Sequence, residues 1–178
     1  MKLIQYFLFA MCFSVSAAPT WVDQSINNLR SGDPSVQRKA ASRLSSYFTD
    51  NGSESDPKII DSNLDLFFEA LANPITARSF TEIFGSRYIS TEDGEYFLYL
   101  DRVSPEIKAR FIEQILRNLQ SKDRRLAEES ADALINLTKC KYESEIKKRE
   151  KEGKKEGKSE FAFESVLKSL AAKCGQKP

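Results

Sequence analysis

A chain of 178 residues with 27 basic and 26 acidic side chains has a formal net charge of +1, which falls to 0 if a leading segment bearing only Lys2 is removed. That balance argues against a generic nucleic-acid binder, whose affinity rests on excess cation. The chain has no histidine, so it lacks the commonest general base, the usual zinc sites and the histidine-based triads.

Met1 and Lys2 precede an apolar run from Leu3 to Val15, and Ser16, Ala17 and Ala18 follow it. The run is short for a membrane span and ends in small residues, so residues 1–18 read as a secretory signal peptide cut after Ala18, with Ala17 the second choice. Cys12 lacks the small residues expected before a lipid-modified cysteine. A retained N-terminal anchor is the alternative reading. About 160 residues would remain after cleavage, enough for one domain with its own core and no stable membrane insertion.

Pro19 to Arg30 predicts a first helix, with Trp21 or Val22, Ile26 and Leu29 on one side, broken by Ser31 and Gly32. Asp33 then offers a cap and Pro34 suits the first helical position. From there to about Phe48, Val36, Ala40, Leu44 and Tyr47 fall on one face with the small Ala41 beside them. After the polar turn Asn51 to Ser55, Asp56 and Pro57 start a third helix in the same style, with Ile60, Leu64, Phe67, Phe68 and Leu71 as its stripe. Asn73 and Pro74 punctuate again, and Ile75, Phe80, Ile83 and Phe84 give a fourth helix that runs out between Gly85 and Tyr88.

Between Ile89 and Val103, Thr91 to Gly94 reads as a helix start. Glu95 to Leu100 is apolar nearly all round, which predicts a short buried helix rather than a strand, since no neighbouring segment offers a pairing partner. Ser104 and Pro105 repeat the cap-then-proline start, with Ile107, Phe111, Ile115 and Leu119 as the stripe. After Ser121, Lys122 and Asp123 comes a helix from Arg124 to Leu137 with Leu126, Ser130, Ala133, Leu134 and Leu137 facing inward. No stretch alternates as a strand over any length, so the fold class expected is all-α.

Residues 139–158 are a composition break, nine Lys or Arg against five Glu with Gly153 and Gly157. They read as a solvated helical extension fraying into a linker. Residues 159–178 close the chain as an amphipathic helix through Phe163, Val166, Leu167 and Leu170, with a short tail. Cys140 and Cys174 remain after processing. In an oxidising compartment they read as one disulfide closing a loop of about 35 residues; two free structural thiols are the alternative.

The helices following Asp33 and Asp123 match at an offset of 90: Val36 with Leu126, Ala40 with Ser130, Ala41 with Ala131, Leu44 with Leu134. Leu64 to Leu71 before Asn73 and Pro74 supplies a middle copy, 40 residues after the first and 50 before the last. On these residues, Trp21 to Thr138 resembles a short HEAT/armadillo-like α-solenoid of three degenerate pairs within a domain spanning 19–138. The arginine usual in that family just after the valine is here Gln37, with Arg38 next, and the middle copy has Thr76, Phe80 and Thr81 where the family has a valine and two alanines. The resemblance implies a scaffold that binds another protein, with second helices lining one side and the C-terminal helix covering the last pair.

Candidate binding residues are Arg38, Arg78, Arg110 and Arg117, whose planar forks bond carboxylates in pairs, and Tyr96 and Tyr99, which suit an interface. No catalytic residue, metal ligand or cofactor is assigned. The acidic pairs Glu92–Asp93 and Glu128–Glu129 are adjacent in sequence, so their side chains diverge on a helix. An exported protein binder, with an inhibitor or immunity protein as a specific variant, is the expected function. An enzyme or accessory subunit with a carboxylate site is the competing class. Of the sequons at Asn51 and Asn136, the second falls in a packed helix.

Overall fold

The turns at Asp33, Asn73 and Asp123 each close on their own side-chain oxygen. Asp33 Oδ1 accepts from Ser35 N at 2.7 Å, Asn73 Oδ1 from Ile75 N at 3.0 Å, and Asp123 Oδ1 from Arg125 N at 2.9 Å. Just upstream, Ser31 Oγ accepts from Asp33 N and Ser121 Oγ accepts from Asp123 N, both at 3.1 Å. Helix starts orphan their first N–H groups, and these short polar side chains satisfy them.

The computed structural model describes residues 20–49, 55–86, 88–90, 96–155 and 161–175. The signal-peptide reading of residues 1–18, the Asn51 sequon and the Thr91 helix start lie outside the described residues. The helices are α1 (Thr20–Asn28), α2 (Pro34–Thr49), α3 (Lys58–Ser62), α4 (Leu64–Ala72), α5 (Ala77–Thr81), α6 (Pro105–Leu119), α7 (Arg124–Thr138), α8 (Glu143–Lys155) and α9 (Phe161–Cys174). The fold is all-α. α1 packs on α2, α4 on α5, and α6 on α7. Across the pairs, α2 packs on α5, α5 on α7, α4 on α6, and α9 closes on α7.

Two predicted helices are interrupted. The helix expected from Asp56 to Leu71 breaks at Asn63 (φ −126°), whose Nδ2 turns back to the Ile59 carbonyl at 2.9 Å. The fourth continues from α5 into a π-helical turn at Glu82–Ser86. There a Cβ on Gly85 would lie 2.6 Å from Ala133 Cβ, so α7 approaches as closely as only glycine permits.

The buried helix expected at Glu95 to Leu100 is not formed. Tyr96–Phe97 (β2) instead pairs antiparallel with Ile89–Ser90 (β1), in register Ile89 with Phe97 and Ser90 with Tyr96. A pairing partner does exist, a few residues upstream, and it is too short to show alternation. Beyond β2, a 3-10 turn at Tyr99–Asp101 keeps the expected burial, with Leu98, Tyr99 and Leu100 all inside.

An aromatic chain runs through the core from the first pair to the last. Ring centroids follow one another at 5.5 Å for Trp21–Tyr47, 4.9 Å for Tyr47–Phe48, 6.3 Å for Phe48–Phe67 and 5.0 Å for Phe67–Phe80. The chain continues through Phe80–Phe84 at 6.3 Å, Phe84–Phe111 at 4.5 Å and Phe111–Phe68 at 5.2 Å. Most of these contacts are edge-on, the arrangement aromatic quadrupoles favour.

The charged extension is not wholly solvated. α8 runs to Lys155 through Gly153 and buries Ile146 and Arg149. Arg149 Nε donates to the Leu119 carbonyl at 3.1 Å and Nη2 to the Ser121 carbonyl at 2.8 Å. The first pair has the same two acceptors 90 residues earlier, and Gln37 Nε2 donates to both, Leu29 O at 3.1 Å and Ser31 O at 2.7 Å. The position 90 residues after Gln37 is Ala127, which has no donor to offer. α8 therefore supplies from outside the pair what Gln37 supplies from within.

Arg149→Ala leaves both carbonyls without that donor in a largely dry site, and is expected to cost about 2 to 4 kcal/mol. Urea denaturation of the oxidised protein measures it. A change below about 0.5 kcal/mol, the usual effect of a surface substitution, would show that water serves the carbonyls equally well.

The chain reverses after α7 through two left-handed residues, Lys139 at φ 47° and Cys140 at φ 74°. Cys140 is joined to Cys174 at the end of α9, Cα to Cα 5.7 Å. Val166 and Leu170 of α9 are buried.

Candidate interaction face

The candidate arginines separate into those already engaged and one that is not. Arg78 pairs with Glu82 at 3.6 Å, and Glu82 also accepts from Ser45 Oγ at 2.7 Å. Arg110 pairs with Asp65 at 3.2 Å and lies 3.8 Å above the Phe68 ring, linking α6 to α4. Arg117 pairs with Glu113 one turn earlier, at 2.5 Å. Arg38 is exposed on α2, and no ion pair reaches it among the described residues. The structure therefore does not assemble the four into a common row of available guanidinium groups.

The tyrosines part in the same way. Tyr99 is only 3% exposed, and its hydroxyl donates to Asp61 Oδ1 at 2.5 Å while its ring packs 5.7 Å from Phe84. It is a core residue, which removes it from an interface. Tyr96 lies in β2, and its side chain is outside the described residues.

Burial, helped by the Asp61 carboxylate, pushes the Tyr99 hydroxyl well above the ordinary phenol range. The folded protein thus keeps a proton that the unfolded chain releases near pH 10. The stability this contributes is complete below about pH 10 and is lost as pH rises toward the folded-state value. Wild type is expected to lose more stability than Tyr99→Phe between about pH 8 and about pH 11, by urea denaturation at each. Equal losses would mean that the phenol titrates normally.

Arg38 belongs to a larger feature. α2 buries Ala40, Ala41, Leu44, Ser45, Tyr47 and Phe48, and its opposite face exposes Arg38, Lys39, Ser42, Arg43 and Ser46. α2 is the only described helix with more than one cation and no carboxylate. The acid just before the helix, Asp33, serves as the cap, its carboxyl held below the usual range by the Ser35 hydroxyl and N–H, and Glu82 of the neighbouring segment takes the Ser45 hydroxyl at 2.7 Å. Lys39 and Arg43 are one turn apart, so their repulsion costs the helix about 0.2 to 0.5 kcal/mol.

The other described helices that carry more than one cation each pair at least one of them internally, while Arg125 of α7 and Lys151 of α8 stay exposed. Glu113–Arg117 in α6, Arg124–Glu128 in α7, Lys147–Glu143 and Lys148–Glu152 in α8, and Glu164–Lys168 in α9 are all pairs one turn apart on their own helix. Of the described helices with more than one cation, only α2 neutralises none of them within itself.

Polar groups elsewhere are committed to structure. Asn118 Nδ2 donates to the Leu71 carbonyl at 3.0 Å and its Oδ1 accepts from Gln114 at 3.0 Å, tying the end of α6 to the end of α4. Asn136 of the second sequon donates to the Gly85 carbonyl at 3.2 Å and accepts from Lys173. Among the described residues, no buried side-chain nitrogen or oxygen lacks a partner, and no group of three or more Cys, Asp or Glu is placed to hold a metal. No described helix is long and apolar enough to cross a membrane.

Sequence reasoning overlooked Arg149, yet a signal was present: it is the single arginine in the lysine-rich run 139–158. Lys39 and Arg43 were legible as a pair only once the burial of their helix was known. The chain matches no protein-family model, no curated protein and no solved structure.

Proposed function

We propose that this chain is an exported, non-enzymatic protein-binding module, built as a short HEAT-like stack whose second helices are α2, α5 and α7. The observation that carries this reading is the correspondence of the first and last pairs. Their Ser31–Asp33 and Ser121–Asp123 turns have matching hydrogen bonds, and the helices after them bury Ala40, Ala41 and Leu44 in one case and Ser130, Ala131 and Leu134 in the other. The contacts of α2 with α5 and of α5 with α7 fit successive stacking, the arrangement in which neighbouring pairs supply each other's core. Such a stack works by presenting a surface.

Export is supported by the Cys140–Cys174 disulfide, a bond that persists in oxidising compartments, and by the pattern of residues 1–18. An inhibitor or immunity protein that caps a toxin or a cell-wall enzyme is a specific variant of this function.

The test is affinity capture of the oxidised, mature protein from its native compartment at low salt. One protein recovered in stoichiometric amount, and re-formed as a complex from purified components, is the result expected. No stoichiometric protein at low salt would overturn the reading.

A further inference from the structure

We propose that the outer strip of α2, formed by Arg38, Lys39, Ser42, Arg43 and Ser46, is the docking site for a carboxylate-bearing surface of a partner protein. This rests on the protein-binding reading above and adds the face and the chemistry of what it binds.

Three observations converge on α2. The strip is fully on the solvent side of a helix whose other face is core. It keeps three cations without a carboxylate on the helix, whereas α6, α7, α8 and α9 each neutralise at least one cation with an acid one turn away. The helix also tolerates like charges at Lys39 and Arg43, a local penalty with no compensating contact among the described residues. A partner carboxylate removes that penalty and gains paired hydrogen bonds from the arginine forks.

Geometry sets the partner's spacing. Lys39 to Arg43, like Arg38 to Ser42 and Ser42 to Ser46, spans about 6 Å along the axis. A helix with carboxylates one turn apart, about 6 Å, matches this, and the Ser42 and Ser46 hydroxyls can donate to the same oxygens. Anionic lipid is disfavoured because the strip offers no aromatic or large apolar side chain to enter a membrane interface. Tyr88 is the exposed large apolar residue among those described, and it lies outside α2.

The experiment is an NMR titration of the oxidised protein with three probes: a 16-residue Glu-rich helical peptide, its Lys-rich counterpart, and vesicles containing phosphatidylglycerol. Expected are shifts at the amides of residues 38–46 with the Glu-rich peptide alone, weakening as salt rises. The double variant Arg38→Glu/Arg43→Glu should lose about tenfold or more in affinity while its thermal midpoint stays level or rises, since the carboxylate introduced at position 43 would pair with Lys39. Shifts centred on α8, where Lys147, Lys148 and Lys151 are exposed, would overturn the assignment to α2. Vesicle binding through α2 without peptide binding would overturn the protein partner in favour of lipid.

A photo-crosslinker at Ser42, and another at Lys148, separate this proposal from the reading beneath it. Capture at Ser42 of the same protein that affinity capture recovers, lost in the Arg38→Glu/Arg43→Glu background, supports both. Capture at Lys148 alone keeps the binding module and ends the α2 site. Capture at neither, combined with no stoichiometric partner on affinity capture, ends both.

Discussion

Phe84→Ala is expected to destabilise the protein by about 3 to 5 kcal/mol, the range for truncating a large aromatic in a closed core. Phe84 is fully buried and joins segments distant in sequence. Its ring meets Phe80 of the same pair, Tyr99 of the β1–β2 insertion and Phe111 of α6. Relaxation around the cavity is limited because the next residue, Gly85, is already pressed against Ala133 and Leu137 of α7. Neighbouring helices cannot close further without a backbone clash, so the void persists and the upper part of the range applies. Urea denaturation followed by far-UV circular dichroism measures the effect. A loss below about 1.5 kcal/mol would show that this region packs loosely enough to collapse.

The second large effect is removal of the disulfide. In the chain-entropy model, Cys140→Ser with Cys174→Ser frees a loop of about 35 residues and costs about 3 to 4 kcal/mol. For a domain of this size that lowers the melting midpoint by about 6 to 16 °C. The loss should not be uniform. α8 retains the buried Arg149 bonds to Leu119 and Ser121, while α9 keeps its packing on α7 and α8, with Val166 and Leu170 as buried anchors, and the exposed Lys173–Asn136 hydrogen bond. Hydrogen exchange is therefore expected to rise in residues 161–175 first and in α8 much less. Unchanged protection in α9 would mean that packing alone holds it.

The secondary structure was legible where the chemistry is local. Asp33, Ser104 and Asp123 mark helix starts because a short polar side chain and its nearby N–H groups suffice to make the turn, and Asn73 makes the turn that follows α4 in the same way. The Cys140–Cys174 bond was legible for a different reason, since they are the only two cysteines after residue 18. What escaped was set by distant contacts. β1 and β2 have two residues each, too few for alternation to register, and exist because each is the other's partner. Tyr99 looked like an interface residue until its ring met Phe84 and its hydroxyl met Asp61.

The proposed binding surface follows the same division. An arginine row cannot be read from sequence spacing because a guanidinium is consumed by whichever carboxylate folding brings near. Arg110 finds Asp65 across a helix pair 45 residues away, whereas Arg38 finds none among the described residues. Net charge carried no hint of the α2 strip, because acidic segments elsewhere offset it. α4, for example, has two carboxylates and no cation.

The substitution of Arg149 for a donor within the last pair also sets an order of assembly. The first pair closes its turn with Gln37, six and eight residues from its acceptors, so the bonds of that turn need nothing downstream of residue 37. The last pair waits for a residue 28 and 30 positions downstream of its acceptors. At about 5 to 20 residues per second of synthesis, that is a delay of roughly 1 to 6 seconds, far longer than a helix needs to form. Maturation therefore runs from the amino end to the carboxyl end, and until α8 arrives the turn between α6 and α7 is the natural foothold for a chaperone or a protease.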